Sequence, residues 1–157
     1  MLKVCDIAEY ILQKQGPMSA MKLQKLVYYS QAFSLALDDQ PLFKEDFEAW
    51  TYGPVCRELY EQHRGVFLVS AVKENLKEIP EKQRSRINDA LKKYGSFDGV
   101  RLSEITHAEP PWVEARKRHH PTSGLCREVI TQESMKQFYR NDLSLSSIPK
   151  SEQEAVL

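Results

Sequence analysis

One helix with almost no polar side constrains this chain more than any other feature. From Lys22 to Leu37 the sequence reads KLQKLVYYSQAFSLAL. Leu23, Leu26, Val27, Phe33 and Leu37 recur at the 3.6-residue helical period, while Tyr28, Tyr29, Ala32, Leu35 and Ala36 occupy the remaining faces. A helix that is apolar all round has to be surrounded, so in a chain of 157 residues it is the central rod of a helical domain, or a rod with one face kept for another protein.

The flanking sequence supplies elements to surround it. Val4, Ile7, Ala8, Ile11 and Leu12 predict a helix from about Lys3 to Gln15, stopped by Gly16 and Pro17. Ser19 is placed to cap the rod, and Ala20 to Leu37 contains no proline or glycine. After the break at Asp38 to Pro41, Asp46 to Trp50 is expected to be a short extended segment. Gly53-Pro54 then predicts a turn, with Pro54 at the first position of a third helix that buries Val55, Leu59 and Tyr60. Val66 to Val72 is expected to pair as a strand with the Trp50 segment. A charged outer helix is expected from Pro80 to Tyr94, a short one over Val100 to His107, another from Trp112 after Pro110-Pro111, and a last one over Gln132 to Arg140 capped by Thr131. Together these predict a mainly α fold: a single helical bundle over residues 1 to 140 around a central apolar helix, with a small β element near Asp46–Trp50. The polar tail, 141 to 157, is expected to be mobile or ordered by a partner.

Charge and cysteine usage narrow the function classes. Lys plus Arg number 22, as do Asp plus Glu, so no net field draws the chain to nucleic acid or an anionic membrane. Cys5, Cys56 and Cys126 form no C-x-x-C pair, and an odd number cannot close into a complete disulfide framework, which fits a reducing cytoplasm. Asp6 and Glu9 interrupt the first apolar stretch, so it reads neither as a signal peptide nor as a membrane span.

No catalytic constellation emerges. Cys56 and His63 share a predicted helix, but seven residues span about 10.5 Å, too far for a direct hydrogen bond or a common metal. They are read as a buried thiol and a surface histidine. His107, His119 and His120 have no cysteine at zinc-finger distance, so no metal is expected, and His107 is read as bonding backbone near a helix end. Arg116, Lys117, Arg118, His119 and His120 suit the C-terminal end of a helix, where the dipole favours cations; contact with an acidic partner or with nucleic acid is the sharper alternative. Lys22, Gln24 and Lys25 could read DNA from the early turns of the rod, which makes a DNA-binding repressor built on the first two helices an alternative function, but the polar positions run out after two turns, which disfavours nucleic acid. No phosphate-binding loop or nucleophile elbow is present, and no cofactor is expected.

Several blocks, in order, resemble the Panacea domain, the SocA-like antitoxin or phage-associated protein family. KLQKLVYYSQAF (Lys22 to Phe33) is similar to its central helix, and PLFKEDFEAWTYGPVCRELY (Pro41 to Tyr60) to its Ala-Trp…Gly-Pro-Val element. LSEITHAEPPWVEAR (Leu102 to Arg116) resembles its Thr-His…Pro-Trp element, and ITQESMKQFY (Ile130 to Tyr139) its closing helix. The resemblance implies a cytoplasmic, non-enzymatic antitoxin of a toxin–antitoxin system, paired with a toxin from an adjacent gene. In one branch of the family it implies an adaptor that hands the toxin to a AAA+ protease. It also implies that Trp50, Tyr52, Gly53 and Pro54 set a turn and aromatic core, while Thr106, His107 and Trp112 lock a helix junction. The candidate toxin-binding anchors are Tyr28, Tyr29, Phe33, Arg57, Tyr60 and Arg116, chosen because aromatic and arginine side chains carry interface energy.

Overall fold

The computed structural model describes residues 1–119 and 125–146. Helix α1 (Val4–Gln15) leads through β1 (Met18–Ser19) into α2 (Ala20–Asp38), the central rod. The Ser19 hydroxyl accepts the Lys22 N–H at 3.1 Å and so starts the rod. Asp39 ends it in a left-handed conformation, φ 57°, from which its N–H reaches back to the Leu35 carbonyl. Every residue from Leu23 to Ala36 is buried, as the absence of a polar side requires.

The rest of the chain wraps this rod. Strands β2 (Phe47–Trp50) and β3 (Gly53–Cys56) form a hairpin, followed by α3 (Arg57–His63), β4 (Leu68–Val69), α4 (Glu81–Tyr94), α5 (Gly99–His107), α6 (Pro110–Arg118), β5 (Val129–Ile130) and α7 (Gln132–Ser146). Helices α1, α4, α5 and α7 all pack on α2. The sheet has the antiparallel order β3-β2-β5, with Trp50 opposite Gly53 and Phe47 opposite both Cys56 and Ile130.

Four expectations need correction. Gly53-Pro54 does not start a helix: Pro54 sits in β3 opposite Ala49, and α3 begins at Arg57. This explains why Val55 is a strand residue. The Val66 to Val72 stretch contributes only β4, and β4 pairs with β1 (Met18 opposite Val69) rather than with the Trp50 segment, whose second partner is β5. Helix α6 includes Pro110 and Pro111 in its first turn, where a missing N–H costs nothing. The last helix continues past Arg140 to Ser146, and the tail from 147 lies outside the described residues.

Burying α2 on all sides also buries its polar side chains, and these bond to the backbone of the segments around them. Gln31 accepts the Leu42 N–H at 2.7 Å and donates to the Phe43 carbonyl at 2.9 Å, fixing the chain just after the rod turns back. Tyr29 stacks on Tyr94 of α4, ring centroids 3.9 Å apart, and donates its hydroxyl proton to Glu109 at 2.7 Å. Tyr139 of α7 donates to the same Glu109 oxygen at 2.6 Å, and its own oxygen lies 3.0 Å from that of Tyr28. Burial raises the Glu109 pKa, against the pull of the two hydroxyls.

Two predictions follow from this wiring. Gln31→Leu orphans one buried N–H and one buried carbonyl, so urea denaturation should show a loss of about 2–4 kcal/mol. A carboxyl whose pKa is raised in the folded state contributes stability below its unfolded value and loses it as pH rises through the folded value. Glu109→Gln should therefore gain melting temperature relative to the wild type as pH increases from 4.5 to 8; a gap that stays constant or shrinks contradicts the assignment.

Candidate functional site

The N-terminal end of α2 is where the wrapping is incomplete. A cavity of about 340 Å³ opens there, walled by Met21, Gln24 and Lys25 of α2, by Trp50 to Tyr52 and Val55 of the hairpin, by Tyr60 and His63 of α3, and by Leu125 to Arg127. A larger cavity, about 570 Å³, lies at the opposite end between Asp38, Leu42 and Pro80. Two of its polar residues are already engaged: Asp38 is bridged by two Arg86 nitrogens at 2.8 and 3.1 Å, and Ser34 donates to the Gln40 carbonyl.

Gln24 builds one wall by the same device as Gln31. Its amide accepts the Cys56 N–H at 2.9 Å, donates to the Cys56 carbonyl at 3.2 Å, and lies 2.9 Å from His63 Nε2. The Gln24 NH₂ can only donate, so His63 Nε2 accepts and the ring is neutral, in keeping with a pKa lowered mainly by burial and further by Lys25. His63 is thus a buried residue, 4% exposed, rather than the surface histidine expected from sequence. The Cys56 thiol is buried and pushed up to about 12, which leaves it protonated and unreactive at neutral pH.

Lys25 differs from every other polar group on the rod. It is 1% exposed, and among the described residues its ammonium has no hydrogen bond and no carboxylate in ion-pair range. Burial pulls its pKa down to about 7. Its stem lies against Gly53, whose φ of 114° suits glycine; a Cβ there would stand 2.5 Å from Lys25 Cε and 2.8 Å from Thr106 Oγ1.

The remaining residues singled out in the sequence fall into three groups. Tyr28, Tyr29 and Phe33 are 1%, 0% and 3% exposed, so they are core and cannot touch a partner in this fold; truncating Tyr29 would open the core, not an interface. Gln24 and Lys25 are equally buried, which removes the base-reading face that a DNA-binding α2 would need. Arg116, Trp112 and His107 brace the hairpin: Arg116 donates to the Ala49 carbonyl at 2.9 Å and covers the Trp112 ring, Trp112 Nε1 donates to the Trp50 carbonyl at 2.9 Å, and His107 stacks on Trp112 with centroids 4.2 Å apart. His107 Nε2 is buried without a partner among the described residues, and burial lowers its pKa. Thr106 is buried and donates to the Ser103 carbonyl. Arg57 is half exposed and ion-paired with Glu48 at 3.4 Å, Glu48 also accepting from Trp50 Nε1. Tyr60 packs edge-on against Trp50, centroids 5.1 Å apart, and lines the cavity. Tyr52 belongs to no aromatic core: it is 66% exposed at the cavity mouth, and only its carbonyl is held, by Ser103 Oγ at 2.7 Å. His120 lies outside the described residues.

Among the described residues no three His, Cys, Asp or Glu side chains gather as a metal site, and no helix is long and apolar enough to cross a membrane. Sequence reading missed His63, Leu125, Cys126 and Arg127 as cavity walls, and weighed Lys25 only as a DNA contact. The available signal for Lys25 was a cation inside a helix with no polar side to hold it.

The candidate site thus combines a central buried helix, a β2–β3 hairpin braced by Trp112, and an aromatic cavity at the end of the helix. The family model described as "Antitoxin SocA-like, Panacea domain" matches residues 23–113, more than half of the chain, and the chain belongs to that family. Comparisons with curated proteins and with solved structures gave no match. The matched stretch contains Lys25, Trp50, Gly53, Tyr60 and His63, whereas Leu125 to Arg127 lie beyond it.

Gly53→Ala tests how tightly this site is built. A non-glycine residue at that φ, with its Cβ driven onto Lys25 and Thr106, should cost at least about 2 kcal/mol, measured by chemical denaturation. Wild-type stability would mean that the hairpin relaxes freely and does not hold Lys25 in place.

Proposed function

We propose that this chain is a non-catalytic antitoxin that neutralises a toxin, encoded by an adjacent gene, by direct protein–protein binding at the N-terminal end of α2. The observation that carries this reading beyond family membership is the apolar surface at that end. Tyr52 and Leu125, each 66% exposed, flank the cavity mouth. Phe67, 83% exposed, is tied to the same edge because its carbonyl accepts the N–H of Ala20, a cavity residue, at 2.9 Å. Large apolar side chains clustered around a concave aromatic site mark a protein-binding face, and aromatic anchors are the residues that carry interface energy.

Of the anchors proposed from sequence, Tyr60 lies in this face, whereas Arg57 lines a separate cleft beside Glu48, with which it is ion-paired. Arg116 acts through the hairpin it supports, since its guanidinium is engaged by Ala49 and Trp112.

The test is to express the adjacent reading frame with and without this chain, score growth, and purify through a tag on this chain. Arrest relieved by co-expression, with a stoichiometric complex, is the expected result. Relief with rapid loss of the toxin and no complex would replace masking by delivery to a AAA+ protease. Absence of toxicity and of a complex would overturn the antitoxin reading. A Tyr52→Ala, Phe67→Ala double variant, changed only at exposed positions, should keep its melting temperature within a few degrees and bind the toxin at least ~10-fold more weakly, about 1.4 kcal/mol. Unchanged affinity would move the interface elsewhere.

A further inference from the structure

We propose that the α2 cavity is a socket for an acidic side chain of the toxin, a glutamate or aspartate whose carboxylate pairs with Lys25 on binding. This rests on the antitoxin reading and specifies which chemistry that partner must present. Three observations on this chain converge on it.

The first is the unmatched cation. Every other buried polar side chain of α2 discussed above has a named acceptor or donor, but Lys25, which lines the cavity, has none for its ammonium among the described residues. Burying a charge without a partner is costly, and the cost is recovered when a partner delivers the opposite charge into the same dry site.

The second is the sign of the lining. Among the described residues the cavity walls contain no Asp or Glu, and Arg127 adds a second cation. The nearest carboxylate of the hairpin, Glu48, is already held by Trp50 Nε1 and Arg57. An incoming cation would meet only like charge, whereas an anion would meet none of its own sign.

The third is shape. Met21, Trp50, Val55 and Tyr60 make the walls apolar and aromatic, suited to the methylenes of an acidic side chain, and about 340 Å³ accommodates one inserted residue with its neighbours. Gly53 leaves its own side-chain space to the Lys25 stem. A bare phosphate would find few donors against these walls, which is why a carboxylate on an apolar stem fits better.

Lys25→Met separates stability from binding, because methionine keeps the buried stem and removes the charge. The variant should melt at or above the wild-type temperature near pH 7. The gap should close toward pH 10, since a lysine pKa lowered by burial destabilises the fold fully below its folded value and not at all above its unfolded one. Toxin affinity, by calorimetry at pH 6 and pH 8, should fall at least ~10-fold in Lys25→Met. The wild type should bind more weakly at pH 8 than at pH 6 and take up close to one proton on binding at pH 8; the variant should take up none. The other ionisable groups around Lys25 are His63 on α3, His107 on α5, Arg116 on α6, Tyr52, Tyr60, Cys126 and Arg127, and Lys25→Met leaves all of them in place. A Lys25→Met protein that binds the toxin with wild-type affinity and proton uptake overturns the proposal while leaving the antitoxin reading intact.

If the adjacent product does not bind the wild type, the antitoxin reading fails, and the socket is decided by NMR titration with hydrocinnamate. Shifts at Trp50, Tyr60 and His63 that vanish in Lys25→Met and with hydrocinnamamide would uphold a carboxylate site. No shifts in the wild type would overturn it.

Discussion

Burial of α2 on every side from Leu23 to Ala36 is the constraint on which the rest of the structure depends. A helix with no solvent face must bury its polar side chains as well as its apolar ones, and each buried amide or hydroxyl needs a partner. The fold meets this need by using Gln24, Gln31 and Tyr29 as attachment points for three different segments: the start of α3, the loop after the rod, and the α5–α6 junction. The glutamines are well suited to this because one amide can both accept from and donate to backbone, replacing the ladder partner that an irregular segment lacks. The order of the outer elements is thus tied to the rod by specific polar bonds, with hydrophobic contact supplying the bulk of the stabilisation.

This also explains what was legible in the sequence. The rod, its Ser19 cap, α1, the outer helices and the extended Trp50 segment could all be read from periodicity, capping residues and proline or glycine stops, which are local signals. The partner of the Trp50 segment could not, because Val129 and Ile130 lie some eighty residues away and no short-range pattern points to them. Pro54 misled for a related reason. Proline fits the first turn of a helix and also the end of a strand, and only the pairing of Ala49 with Pro54 selects the second. Tyr28, Tyr29 and Phe33 looked like interface anchors because composition alone does not distinguish an aromatic stacked on Tyr94 from one offered to a partner.

Two buried ionisable groups, Lys25 on the rod and Glu109 bonded to its Tyr29, show how differently one fold can treat charge. Glu109 receives two phenolic protons on a single oxygen, so whichever protonation state it adopts is embedded in a network of Tyr28, Tyr29 and Tyr139. That network joins α2 to α7 and to the start of α6, a structural task. Lys25 receives nothing comparable, although Thr106 and His63 lie close enough for their elements to have been used. The difference is not one of depth, since both residues are almost entirely shielded from solvent. It is one of neighbours: Glu109 is held by two tyrosine hydroxyls, and Lys25 lines a cavity.

A fold that satisfies its buried polar groups along the rod but leaves one cation open at the rod's end has placed its destabilising residue where a partner could relieve it. Removing such a group commonly stabilises a protein and weakens what it binds. The arrangement also bears on specificity. An apolar cavity alone would accept many side chains, whereas a largely desolvated lysine in its lining penalises any occupant that brings no negative charge, since the cation would then lose its remaining water without compensation. Selectivity would thus come from the cost of wrong occupants as much as from the attraction of the right one, and the exposed Tyr52, Phe67 and Leu125 around the mouth would add affinity with little preference among partners.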